Sequence, residues 1–116
     1  MTIRFVYIAS PYTKGDVAIN VRRSIECADA LAEAGFVPFC PLLTHLWHLM
    51  SPHEYKFWTA LDDAWIERCD ALVRLPGESS GADNEVALAG KLGKPVYMST
   101  GWLLDLNDFE RWAGRQ

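Results

Sequence analysis

The chain has 116 residues and a mass of 13.1 kDa; half its residues are hydrophobic and 22% are charged. That balance describes an ordinary folding domain and excludes a disordered or collagen-like chain. Eleven Lys and Arg against fifteen Asp and Glu give a net charge of −4, which argues against broad contact with a nucleic-acid polymer but leaves room for a local pocket for one nucleotide.

The length suits a single domain over residues 1–116, enough for one core. No stretch reaches the ~18–20 uninterrupted apolar residues of a membrane span, and the N-terminal residues lack the form of a signal peptide. Cys27, Cys40 and Cys69 are an odd set without CxxC spacing. They read as small buried hydrophobes in a reducing compartment, so a cytoplasmic location is expected.

In chain order, Arg4–Ala9 is a short β-branched and aromatic run that reads as a buried strand ending at Ser10-Pro11. Asp16 is placed to cap a helix in which Val17, Val21, Ile25, Ala28, Leu31 and Ala32 recur at helical spacing up to Gly35. Phe36–Cys40 is a second strand, and Pro38 and Pro41 put it at an edge. Residues 41–52 read as a loop or short turns. Ser51-Pro52 has the form of a helix start, with Ser51 as cap and the helix running to Arg68. Ala71–Leu75 is a third strand, Ala82–Leu92 a helix, Val96–Met98 a fourth strand and 102–113 a last amphipathic helix. Strands alternating with helices predict a parallel sheet of four or five strands between two helical layers, a Rossmann/flavodoxin-like α/β sandwich. Ligands in such sheets bind beyond the carboxyl ends of the strands, so the loops after Ala9, Cys40, Leu75 and Met98 are expected to carry function.

Three residue types then draw notice. Glu85 shares a helical face with Leu88, Ala89 and Leu92, the face expected to pack on the sheet. A carboxylate there costs several kcal/mol unless it is paired or serves a purpose; a glutamate curling back to cap its own helix is the plainer alternative. Asp62 borders the apolar stripe of Phe57, Trp58, Leu61 and Trp65, where it either reaches a pocket edge or stays a surface acid, while Asp63 points away as a solvated residue. Tyr7 alternates within its strand and reads as core or site. The loop Gly77–Gly81 precedes a helix and supplies Ser79, Ser80 and free N–H groups, a weak anion-site signal. Ser10–Asp16 has hydroxyls and one lysine but neither GxGxxG nor a Walker-type loop, which disfavours NAD-binding and NTPase readings. His45, His48 and His53 do not have the spacing of a standard zinc site. Arg22 and Arg23 read as solvated and the tryptophans as mainly core.

Taken together, Tyr7–Tyr12, Asp62 with Cys69–Val73, the Ser79-x-Gly81-x-x-x-Glu85-x-x-x-Ala89 pattern and Gly93–Val96 resemble the nucleoside 2-deoxyribosyltransferase superfamily, including its small phage and bacterial members and the nucleoside 5′-monophosphate N-glycosidases. The resemblance covers residues 3–98. It implies that Glu85 is a nucleophile attacking C1′ of the sugar, that Asp62 orients the base or shuttles a proton to it, and that Tyr7 hydrogen-bonds the nucleophile. It implies substrate contacts from Ser10, Pro11, Tyr12, Ser79 and Gly81, with Ser79 at a position that favours a 5′-monophosphate. Ser99, beside Met98 and Thr100, stands where relatives complete a neighbouring subunit's site. The expected partner is thus a small nucleoside or nucleotide, with no cofactor or metal, in a homodimer or larger homo-oligomer joined through residues 42–68. The alternative is a nucleotide-binding module that uses the same pocket without turnover.

Overall fold

The computed structural model describes residues 2–116. Four strands, β1 (Phe5–Ala9), β2 (Val37–Phe39), β3 (Ala71–Arg74) and β4 (Val96–Met98), form one parallel sheet in the order β2-β1-β3-β4. Five helices connect or follow them: α1 (Val17–Glu33), α2 (His45–Met50), α3 (Tyr55–Arg68), α4 (Ser80–Lys91) and α5 (Leu106–Gly114). The sandwich expected from the alternating pattern is the one observed, with four strands.

Side-chain alternation along β1 assigns the layers. Val6 and Ile8 point into one core with Val73, Cys27 and Leu31 of α1 and Phe109 of α5. Tyr7 and Ala9 point into the other with Leu72, Ile66 of α3, and Ala82 and Ala89 of α4. The two central strands are therefore covered on both faces, as a parallel sheet requires. β2 lies at an edge, where Pro38 is tolerated. All three cysteines are buried and free. No helix among the described residues is long and apolar enough to cross a membrane.

Several boundaries differ from the expectations. Residues 41–52 begin with a short turn as expected, a 3-10 turn at Pro41–Thr44, but this runs on into the helix α2. Ser51 closes α2, its N–H donating to the Trp47 carbonyl at 2.7 Å, so it does not cap the next helix, which starts at Tyr55 after Glu54. Residues 99–104 form a bend before α5, whose cap is Asp105, accepting from the Asp108 N–H at 3.0 Å. Asp16 does cap α1, accepting from Ile19 N–H at 3.1 Å.

The faces of two helices are also turned. The buried line of α1 is Asn20, Ser24, Cys27 and Leu31, while Ile25 and Ala32 are exposed. The polar members are accepted inside because they are bonded. The Asn20 amide donates to the carbonyls of Tyr12 and Lys14 at 2.9 and 2.7 Å, fixing the loop after β1, and Ser24 Oγ meets Cys40 Sγ at 3.1 Å. In α3 the buried residue is Ile66, and Leu61 and Trp65 are exposed. Leu92 at the end of α4 is exposed too, as are Trp47 and Trp102, so the tryptophans are not mainly core.

Candidate active site

A cleft of about 690 Å3 opens beyond the carboxyl ends of β1 and β2, walled by α2, α3 and the first turns of α4. Its floor is Ile8 and Ser10; Glu85, Asp62, Asp63, Tyr12, Ser79 and Gly81 line it. The volume lies within the ~300–1,000 Å3 of small-molecule sites.

Glu85 reaches the cleft from the second turn of α4, between the sheet-facing residues Ala82 and Ala89. Directly beneath it lies Tyr7, fully buried in β1, whose hydroxyl donates to Glu85 Oε2. Burial pushes the Glu85 carboxyl up to about 8, and the charges of Asp62 and Asp63 push the same way; the Tyr7 hydrogen bond and the Arg74 guanidinium pull against them. Burial also raises the Tyr7 hydroxyl, so it stays a donor. Asp62 is half-buried on α3, and burial, then the charge of Asp63, carries its carboxyl up to about 6. Two carboxyls shifted by their surroundings in one cleft make it a candidate functional site.

The Tyr7 ring is held in place by a stack of aromatic rings. It packs on Phe39 at 5.6 Å, and Phe39 stacks on Trp65 at 4.6 Å between centroids, with planes 19° apart. Ser79 Oγ accepts from the Ala82 N–H at 3.1 Å and so caps α4 while facing the cleft. At Gly81 a Cβ would sit 3.3 Å from the Tyr55 hydroxyl, so a small residue keeps that wall close. Tyr12 Oη lies 2.5 Å from His45 Nδ1.

Two expected contacts stand elsewhere. Pro11 lines a smaller neighbouring hollow and touches the loop after β3. Ser99 is buried, donates to the Gly101 carbonyl at 2.6 Å and lies outside the cleft of its own chain. Two residues at or near the cleft carried no functional expectation. Asp63 is exposed, as a solvated residue should be, but it lies at the cleft rather than on the opposite side of its helix. Arg74, 6% exposed at the end of β3, donates to the carbonyls of Leu75 and Gly77 and pairs with Asp83 at 2.9 Å. These bonds tie the loop after β3 to the start of α4 and hold Glu85 in position. An arginine inside the run Ala71–Leu75 was the available signal, because a buried charge must be paired. Arg23 is not merely solvated: its guanidinium lies 3.5 Å from the Trp102 ring centroid.

The three histidines line the cleft with aromatic partners. His48 Nδ1 accepts from Trp58 Nε1 at 2.9 Å, and His53 stacks on Phe57 at 3.7 Å. Among the described residues, no group of three or more His, Cys, Asp or Glu is placed to hold a metal ion.

Residues 4–99 match the profile of a family described as Domain of unknown function (DUF7768). The chain belongs to this family. Among solved structures, it is similar to a 2-deoxyribosyltransferase from the psychrotolerant bacterium Bacillus psychrosaccharolyticus. The TM-score is 0.61 and the identity 20%, over 81% of this chain and 70% of that one. The two share a fold at that identity. No curated protein matches the sequence.

Proposed function

We propose that this member of the DUF7768 family cleaves or transfers the N-glycosidic bond of a (deoxy)nucleoside or its 5′-monophosphate. The observation that carries the reading is Glu85, a half-buried carboxyl at the cleft wall whose oxygen is hydrogen-bonded by Tyr7. The fold shared with a 2-deoxyribosyltransferase supports it.

In this reading ionised Glu85 attacks C1′ and the base departs with its bonding electrons, leaving a glycosyl ester on the enzyme. Asp62 supplies the proton that the departing base takes up; since its carboxyl lies near 6 and that of Glu85 near 8, the reacting form, with Glu85 ionised and Asp62 protonated, is the minor one. Water or a second base then attacks C1′ from the side opposite Glu85, gives its proton to the ionised Asp62 and releases Glu85 as the carboxylate, with net retention. Ser10, Tyr12, Ser79 and Gly81 hold the sugar and any 5′-phosphate, the N-terminus of α4 favouring the anion. Pro11 shapes the loop after β1, and Ser99 is assigned to the site of a neighbouring copy. No cofactor enters.

The burial of Glu85 at the cleft wall favours a second reading. It raises the carboxyl to about 8, so the neutral form prevails at neutral pH, which suits a nucleotide-binding module without turnover. A screen separates the two. Wild type and Glu85→Ala are incubated with each ribo- and deoxynucleoside and 5′-monophosphate, with and without a second free base, and base release is followed by chromatography. Release by wild type alone is expected. No release, with thermal stabilisation of both proteins by the same ligand, would leave the binding module.

A further inference from the structure

A second cavity of about 380 Å3 opens beside the cleft, between the segment after β1 and the segment after β3. Sites for small molecules start at about 300 Å3, so it has room for a chemical group of its own. Ser10 and Lys14 line both cavities, which therefore meet at this pair. The junction sits where the chain leaves β1 for β2 on one side while β3 lies on the other. Open parallel sheets take their ligands at such a switch point.

The chemistry changes across the junction. Ser10 Oγ is buried there without a hydrogen-bond partner, a costly state for a hydroxyl unless a ligand satisfies it. Lys14 Nζ lies 3.3 Å from Glu78 in an exposed pair, which contributes little and exchanges readily. A hydroxyl and an ammonium at one point suit a phosphoryl group. Beyond them the smaller cavity offers the half-exposed Trp102 ring with the Arg23 guanidinium stacked on it, and the Glu78 carboxylate. Asp16 and Asn20 also line it, but the carboxylate caps α1 and the amide holds the Tyr12 and Lys14 carbonyls. A carboxylate beside a planar ring suits sugar hydroxyls and an aromatic base better than another phosphate.

We propose that the two cavities form one two-lobed site for a dinucleotide. One nucleoside lies beside Glu85, the bridging phosphates contact Ser10 and Lys14, and the second nucleoside rests on Trp102 and Arg23 with its ribose hydroxyls donating to Glu78. The proposal rests on the reading of the main cleft as a nucleoside site, and a monophosphate would leave the smaller lobe empty.

The test is titration calorimetry on the Glu85→Gln chain, which cannot form the glycosyl ester. The probes are adenosine 5′-monophosphate against diadenosine diphosphate, and the matching uridine pair. At least one dinucleotide is expected to bind about tenfold more tightly than its monophosphate. Trp102→Ala and, separately, Arg23→Ala, each checked for folding by thermal denaturation, are expected to bring the two affinities together. A monophosphate binding as tightly as its dinucleotide overturns the two-lobed site and leaves the cleft reading standing. An affinity ratio unmoved in both variants overturns it as well. Binding by neither member of either pair overturns the cleft reading itself and the proposal with it.

Discussion

Glu85 is where the chemistry and the stability of this fold conflict. Its carboxyl rises from 4.5 to about 8 on folding, chiefly through burial. The native state therefore holds a proton that the unfolded chain gives up, so the stability present below about 4.5 is lost as pH climbs towards 8. Glu85→Gln removes this dependence, and its melting temperature should exceed that of wild type by a margin that widens across that window, measured by calorimetry at a series of pH values. Turnover has a different profile. If Glu85 acts ionised and Asp62 acts as the proton donor, base release is a bell, rising to about 6 and falling above about 8. Tyr7→Phe removes a hydrogen bond that favours the ionised glutamate. The descending limb should then move to higher pH and the plateau fall about tenfold for each unit of the shift. A rate that instead climbs through 8 and stays level would show that Asp62 works ionised, orienting the base.

The elements around the site are held by a few bonds at their ends. The loop from β3 to α4 turns at Gly77, whose φ of +116° L side chains rarely adopt. A Cβ there would also lie 2.9 Å from Pro11 Cγ in the loop after β1. Gly77→Ala should therefore destabilise the fold by about 1–3 kcal/mol, read by urea denaturation, and weaken ligand binding by spreading the two loops. Arg74 fixes the same loop from below, and Asn20 fixes the opposing one. The turns themselves were legible: Asp16 as a cap, Ser79 before a helix, and the Gly-containing punctuation after β3. The apolar faces of α1 and α3 were not. Periodicity ranks residues by hydrophobicity, whereas Asn20 and Ser24 are inside because each finds a hydrogen-bond partner from another segment. Leu61 and Trp65 are left outside because α3 turns Asp62 and Ile66 inward.

For the whole molecule the most apolar exposed surface is the one on the 3-10 turn, α2 and α3. Leu46 is 65% exposed and Met50 77%, with Leu43, Leu49 and Trp65 also uncovered. Monomers rarely leave so many large apolar side chains in one region. The proposed homodimer through residues 42–68 would cover them and steady α2, which walls the cleft. Light scattering should give twice the chain mass, and Leu46→Glu with Met50→Glu should yield a folded monomer of lower activity. A monomer at every concentration would dispose of the interface.

The sequence by itself determined the alternation of strands and helices, the edge position of β2, the burial of the cysteines and the notice given to Glu85. All of these follow from periods of two and 3.6 residues and from proline's missing N–H, which are properties of short segments. Only the tertiary structure decided which side chains meet. Tyr7 lies beneath Glu85, Arg74 beneath the loop that presents it, Asp63 at the cleft and Ser10 between two cavities because separate segments were brought together over the carboxyl ends of the sheet. Contacts across 78 residues, such as that from Tyr7 to Glu85, depend on strand order and helix rotation, and no local pattern encodes either.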